Sequence, residues 1–184
     1  MIAVYLAIGF EEIEALATVD ILRRANLETL LVSTEDNLTV TGSHSIQVQC
    51  DAHINDLDAN QLELAILPGG LPGATRLDAN PMVREHIRIL AEKRKPLAAI
   101  CAAPMILGKM GLLHDREATA FPGFEQYLEG ATLSHHTHLV SKGVFTARGA
   151  GMALDFAFDL VEHFRGKDFA DQLAQKMIFK RGLL

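Results

Sequence analysis

Apolar positions in this chain fall into short unbroken runs separated by stretches of helical spacing. Ile2–Ile8 (IAVYLAI) is the first run. An apolar stretch without alternation suits a central strand covered on both faces of a parallel sheet. Gly9-Phe10 turns the chain. Over Glu11–Ala25, Ile13, Leu16, Ala17, Ile21 and Leu22 recur at helical spacing, and Arg23 and Arg24 fall where cations complement a helix C-terminus. Glu28–Ser33 predicts a second strand. Val40–Gln49 alternates around Gly42, as a hairpin or edge excursion does. Leu64–Leu67 is a core strand ending at Pro68-Gly69-Gly70. Pro81–Arg94 reads as a helix capped by Asn80, with Pro81 in the first helical position. Pro96–Ile100 is another short strand. Cys101 follows it directly, and Ala102–Met110 returns to helical spacing, with Gly111 as C-cap. Ala118-Thr119-Ala120 suggests a brief strand, and Leu139–Thr146 a hairpin around Lys142-Gly143. Residues 150–164 predict an amphipathic helix carrying Phe156, Phe158, Leu160, Val161 and Phe164.

Strands alternating with helices predict a single α/β domain over residues 1–184, with a mostly parallel sheet flanked by helices on both faces. The 184 residues are 49% hydrophobic and 22% charged, enough to bury a core without disulfides or metal. A net charge of −6 with no basic run argues against a nucleic-acid partner. Two cysteines, Cys50 and Cys101, do not make a disulfide framework, so a reducing cytoplasm is the expected compartment. The N-terminal run lacks a basic flank and reads as a strand rather than a signal peptide. No run approaches the roughly 18 apolar residues of a membrane span.

The chemistry centres on Pro96–Pro104 (PLAAICAAP). In open α/β sheets, sites form at the carboxyl ends of the strands. A cysteine there, at the start of the next helix, meets unpaired N–H groups that favour a thiolate. The arrangement is that of a strand-to-helix nucleophile elbow, which the small Ala102 and Ala103 permit. A free cysteine also serves as an ordinary small core residue. Gly69 and Gly70 close a neighbouring strand, as a ligand approach or as a plain turn. The Gly70 and Ala102 N–H groups are candidates for an oxyanion hole. Glu11-Glu12-Ile13-Glu14 follows the first strand on the same rim. Helix-terminal electrostatics explain such acids in general, yet one of them can also point at the thiol.

With these segments in hand, the chain resembles the DJ-one/ThiJ/PfpI superfamily. The resemblance rests on Gly9–Glu14 (GFEEIE), Arg23–Ala25 (RRA), Leu67–Ala74 (LPGGLPGA), Ala98–Pro104 (AAICAAP) and Ala147–Gly151 (ARGAG), in order along nearly the whole chain. It implies a flavodoxin-like fold, closest to the small dimeric DJ-one branch. Cys101 then matches the reactive, easily oxidised cysteine, and Glu14 the protonated glutamate that hydrogen-bonds it. Gly70 and Ala102 match the oxyanion donors, and Gly69 belongs to the same binding segment. Arg148 is implied as an anion contact near the pocket. Arg24 and the segment His44–Cys50 are implied in a homodimer interface.

Three positions depart from the family pattern. Phe121 stands in Thr119–Pro122 where relatives often carry a histidine, which removes the base a cysteine peptidase needs. Ala103 stands where glycine is common. His44 replaces an arginine near the pocket. The function implied is a cofactor-independent glyoxalase or deglycase acting on small α-oxoaldehydes such as methylglyoxal. An oxidative-stress sensor or chaperone-like protein is the alternative, and a peptidase the weakest. The histidines of Ser134–His138 (SHHTH) match no zinc spacing and are expected as loop residues. No metal and no cofactor are expected. Neither a P-loop nor a GxGxxG spacing is present.

Overall fold

The computed structural model describes residues 1–182. In chain order the strands are β1 (Ile2–Leu6), β2 (Thr29–Ser33), β3 (Thr39–Thr41), β4 (Gln47–Gln49), β5 (Ala52–His53), β6 (Leu64–Leu67), β7 (Leu97–Ile100), β8 (Glu117–Ala118), β9 (Thr132–Leu133), β10 (His138–Ser141) and β11 (Val144–Ala147). The helices are α1 (Glu12–Arg24), α2 (Gly73–Ala79), α3 (Pro81–Glu92), α4 (Pro104–Lys109), α5 (Ala153–Arg165) and α6 (Lys167–Lys176).

Seven strands form the main sheet in the order β10-β11-β7-β6-β1-β2-β5. All neighbours pair parallel except β10 and β11. The inner parallel strands follow the doubly wound flavodoxin order, in which β1 is flanked by β2 and β6 and the winding reverses between β1 and β6. The antiparallel β3–β4 pair is the hairpin expected over Val40–Gln49.

Strand periodicity of two sorts each apolar run onto two cores. Ile2, Val4 and Leu6 of β1, with Leu64 and Ile66 of β6 and Ala98 and Ile100 of β7, face one side. There they pack with Val19 and Leu22 of α1 and Phe156, Leu160 and Val161 of α5. Ala3, Tyr5, Ala65, Leu67, Leu97 and Ala99 face the other side, against Leu77 of α2, Val83, Ile87 and Leu90 of α3, and Ile106 of α4. Both faces are dry, which is why these strands are continuously apolar.

The structure differs from the sequence expectation in several places, the unforeseen edge strand β5 and the start of α5 at Ala153 rather than residue 150 among them. β1 stops at Leu6, because Ile8 is already exposed on the rim. α4 begins at Pro104 rather than Ala102, since residues 101–103 form the turn itself. The brief strand near Ala118 is Glu117–Ala118, pairing with Thr132–Leu133. α2 was not legible because it opens on Gly73 without a side-chain cap. α6 was not legible because most of its residues are polar, although Phe169, Ala170, Leu173 and Ala174 keep helical spacing. Among the described residues, no helix is long and apolar enough to cross a membrane.

Candidate functional site

The carboxyl ends of β1, β6 and β7 lie side by side, so the three segments that follow them meet at one rim. After β1 the chain turns through Gly9-Phe10 into α1. Glu11 is the N-cap: its Oε2 accepts the Glu14 N–H at 2.7 Å. Capping fixes the first turn, which directs Glu14 inward. Glu14 is 1% exposed, unusual burial for a carboxyl group. The Glu11 N–H donates to Gly69 O at 2.9 Å, tying this turn to the segment after β6.

Gly69 is the point of convergence. A Cβ at this position would stand 2.6 Å from Cys101 Cβ, 2.8 Å from Glu14 Oε2 and 3.1 Å from the Ala102 nitrogen. Only glycine lets the three strand ends close this tightly. Its N–H donates to Glu14 Oε2 at 2.7 Å. The other oxygen, Oε1, is buried with no partner. Gly70 has φ +84°, and a Cβ there would meet the Glu11 nitrogen at 2.5 Å.

Cys101 occupies the elbow after β7 with φ +63°. A non-glycine residue in the left-handed region is strained, and nucleophile elbows hold that strain. Two backbone bonds hold the residue there. Its N–H donates to Ala147 O, and its carbonyl accepts the Phe121 N–H, each at 2.8 Å. Ala103, where a glycine was the family expectation, is fully buried in right-handed helical conformation, so its methyl group is accommodated.

The electrostatics correct one expectation. Cys101 lies three residues ahead of α4, a helix of six residues, and the thiol is not lowered. Burial, reinforced by repulsion and hydrogen bonding from an ionised Glu14, pushes it up to about 12, while the Gly70 and Ala102 N–H groups act on the sulfur in the opposite direction. Glu14 is itself raised to about 7, chiefly by burial, against the Gly69 N–H bond that favours its anion. Two of the three influences raising the thiol vanish when Glu14 carries a proton.

The structure thus brings Cys101, Glu14, Gly69, Gly70 and Ala102 together. His44 sits on the adjoining loop, which is bound to the β1 turn by Gly9 N–H to Thr41 O and Ser43 N–H to Phe10 O, both 2.8 Å. Its imidazole is committed to Glu12, with Nδ1 2.8 Å from Oε2 and the backbone N–H 2.7 Å from Oε1. The hydrogen bond to Glu12 raises the His44 pKa. This pairing was not anticipated; the buried Glu12 in the EExE segment was its only sequence signal. Arg148 follows Ala147 beside the elbow, but its guanidinium turns to Glu125 at 3.8 Å. Glu11, Glu12 and His44 bring ligand atoms within 4.8 Å of one another, with both Glu12 oxygens already engaged by His44 and Ser43. Of the histidines in Ser134–His138, His138 bonds Asp159 at 2.7 Å, while His135 and His136 are exposed. Among the described residues they do not assemble a ligand set.

Residues 1–163 match the DJ-1/PfpI family model. The chain is 34% identical over 175 residues to Protein DJ-1 homolog B of Arabidopsis thaliana, covering 95% of this chain but only 40% of that longer protein. It is 30% identical over 181 residues to the Parkinson disease protein 7 homolog of Danio rerio, with 96% of both chains covered. The structure of oxidized Toxoplasma gondii DJ-1 superposes with a TM-score of 0.93 at 31% identity, over 97% of both chains. The chain belongs to the DJ-1/PfpI family.

Proposed function

We propose that this protein converts small α-oxoaldehydes such as methylglyoxal to 2-hydroxy acids without a cofactor, with Cys101 as nucleophile and Glu14 as proton carrier. The observation that carries this reading is the buried Glu14 carboxyl beside the Cys101 thiol, with a pKa near 7. A carboxyl group poised near neutrality both accepts and returns a proton.

Ionised Glu14 takes the thiol proton as sulfur bonds to the aldehyde carbon. The carbonyl π pair moves to oxygen, and the Gly70 and Ala102 N–H groups stabilise that oxyanion. Glu14 returns the proton to it, giving a hemithioacetal. It then removes the proton from the same carbon to give an enediolate; the hydroxyl proton passes to the neighbouring oxygen, and Glu14 delivers the proton it took to the neighbouring carbon. The product is a lactoyl thioester. Water cleaves the thioester, releasing lactate and the thiol. The balance is methylglyoxal plus water to lactate, with no external oxidant. Deglycation of glycated thiols or amines would use the same groups. The reading includes a cytoplasmic homodimer with Arg24 and residues 44–50 at its interface. The test is lactate formation by wild type, Cys101→Ala and Glu14→Ala. Loss in both variants is expected, and full activity in either refutes the mechanism.

Redox sensing at the same sulfur is the second reading. Both thiols are pushed up to about 12, so access separates them: Cys101 is partly exposed whereas Cys50 is 4% exposed. Peroxide would convert the thiol to a sulfenic and then a sulfinic acid, each step releasing water. Protonated Glu14 and the two amides would hold the sulfinate oxygens. Mass spectrometry after mild peroxide should find Cys101 modified before Cys50, and equal oxidation overturns the reading. For a peptidase the histidine base is wanting: among the described residues, the groups acting on the Cys101 sulfur are Glu14 and two backbone amides.

A further inference from the structure

The opposite end of the sheet carries a feature the Cys101 site does not use. A cleft of about 290 Å³ opens at the amino-terminal ends of β7 and β11. Its charged wall is Arg94, Lys95, Arg116 and Lys142, and no carboxylate lines it. Its apolar floor includes the buried Leu97 and Val144. In a chain of net charge −6, four cations with no acid around one cleft are a pronounced local reversal.

The cations come from separate segments: the end of α3, the loop after α4, and the β10–β11 turn. A helix C-terminus accounts for Arg94 and Lys95, but not for Arg116 or Lys142. Among the described residues none of the four pairs with a carboxylate, whereas Arg23, Arg24, Arg76, Arg84 and Lys109 all do. Lys95 Nζ is spent on the carbonyls of Asn60 and Leu62, which leaves its charge uncompensated. Arg116 is half-buried; one guanidinium nitrogen donates to the His114 carbonyl at 3.3 Å, and Nε is closed off from solvent without a protein partner. Its neighbours Asp115 and Glu117 are exposed and outside the wall. The Arg116 charge is therefore not balanced by any carboxylate among the described residues, and an oxyanion in the cleft would balance it.

We propose that this cleft binds a small organic anion bearing two or more negative charges, its phosphate or carboxylate oxygens on Arg116 and Lys142 and its apolar part against Leu97 and Val144. Arg supplies the paired donors that such oxyanions match. The volume is at the lower end of small-molecule pockets, roughly 300–1,000 Å³, which excludes a macromolecular occupant of the cleft itself. Four strand residues at about 3.3 Å each put the cleft roughly 13 Å from Cys101 along β7, so it is a separate site.

The probes are inorganic pyrophosphate and adenosine monophosphate, titrated at fixed ionic strength and followed by backbone amide resonances. Saturable shifts are expected at 94–97, 112–116 and 142–144, with Cys101 and Gly70 unmoved. Arg116→Gln should weaken binding about tenfold or more, and Lys142→Gln, an exposed turn position that leaves folding intact, by several-fold. Saturable binding of either probe that both variants weaken supports the site. Non-saturating shifts, or unchanged affinity in Lys142→Gln and a folded Arg116→Gln, overturn it. Tighter binding of adenosine monophosphate than of pyrophosphate assigns the apolar floor a share; the reverse order removes the organic part of the proposal.

Discussion

Gly69 holds one oxygen of Glu14, Oε2, through its N–H at 2.7 Å, and the other, Oε1, is left buried without a partner. Burial makes this carboxylate costly to ionise, by more than the hydrogen bonds from the Gly69 N–H and the Cys101 thiol offset, and Glu14 rises from 4.5 to about 7. The sign of the linkage follows. The folded protein keeps this proton longer than the unfolded chain, so the contribution is fully present below pH 4.5 and is lost as pH rises to about 7. A shift of this size corresponds to about 3 kcal/mol. Urea denaturation of wild type should therefore weaken across that window. Glu14→Gln, which cannot ionise, should flatten the decline. An equal slope in the two proteins would disprove the assignment.

The same coupling governs thiol reactivity. An ionised Glu14 repels the Cys101 thiolate and accepts its proton, and both effects raise the thiol alongside burial. Glu14→Gln removes both and leaves the Gly70 and Ala102 amides in place. Alkylation of Cys101 by iodoacetamide near pH 8 should then accelerate by about tenfold or more, since one pKa unit is a factor of ten in thiolate. Lactate production should fall in the same variant, because the proton carrier is gone. Faster alkylation with slower turnover separates the two roles of Glu14. A variant that is slower in both would mean that Glu14 activates the sulfur in its resting state.

The sheet was legible because its strands are buried on both faces, so Ile2–Leu6, Leu64–Leu67 and Leu97–Ile100 are unbroken apolar runs. The rim was legible because strand ends must be followed by something chemically unusual, here EExE, PGG and a cysteine. What stayed hidden depends on pairing across long sequence distances. His44 engages Glu12 from 32 residues away, and no local spacing announces it. Arg148 turns to Glu125 for the same kind of reason. The raised Cys101 thiol was missed because a helix start was placed at Ala102, when residues 101–103 form a turn before a short helix. α6 was missed because six of its ten residues are charged or amide side chains, which outweigh the helical spacing of Phe169, Ala170, Leu173 and Ala174.

Gly69→Ala is the sharpest steric test of the site. The added methyl carbon would lie within 2.6–3.1 Å of Cys101 Cβ, Glu14 Oε2 and the Ala102 nitrogen, two of which are backbone or backbone-fixed atoms. Overpacking of this kind costs about 1–3 kcal/mol. It also separates Glu14 from the sulfur, so lactate formation should drop at least as far as in Glu14→Ala. Gly151→Ala is the matched control, because a Cβ there meets nothing within 4 Å. Stability should stay within about 0.5 kcal/mol of wild type in the control. Equal behaviour of the two alanine variants would contradict the close approach of the three strand ends.

His138 offers a pH test away from the elbow. Its Nδ1 lies 2.7 Å from Asp159 Oδ2, joining the first strand of the edge hairpin to α5. Hydrogen bonding to Asp159 raises its pKa above 6.5, with the Asp159 and Asp155 charges adding to the effect and burial and Arg181 opposing it. A histidine raised on folding stabilises the protein fully below its unfolded pKa of 6.5, and that gain is lost as pH climbs through the folded value. Because Glu14 titrates near the same range, the measurement belongs in the Glu14→Gln background. There, urea midpoints should fall between about pH 6 and pH 9, and Asp159→Asn should reduce the fall by removing the partner that holds the proton. His138→Gln should reduce it to the same extent, and the two substitutions together should add nothing further, since they break one pair. A fall that persists unchanged in both variants would place the titrating group elsewhere.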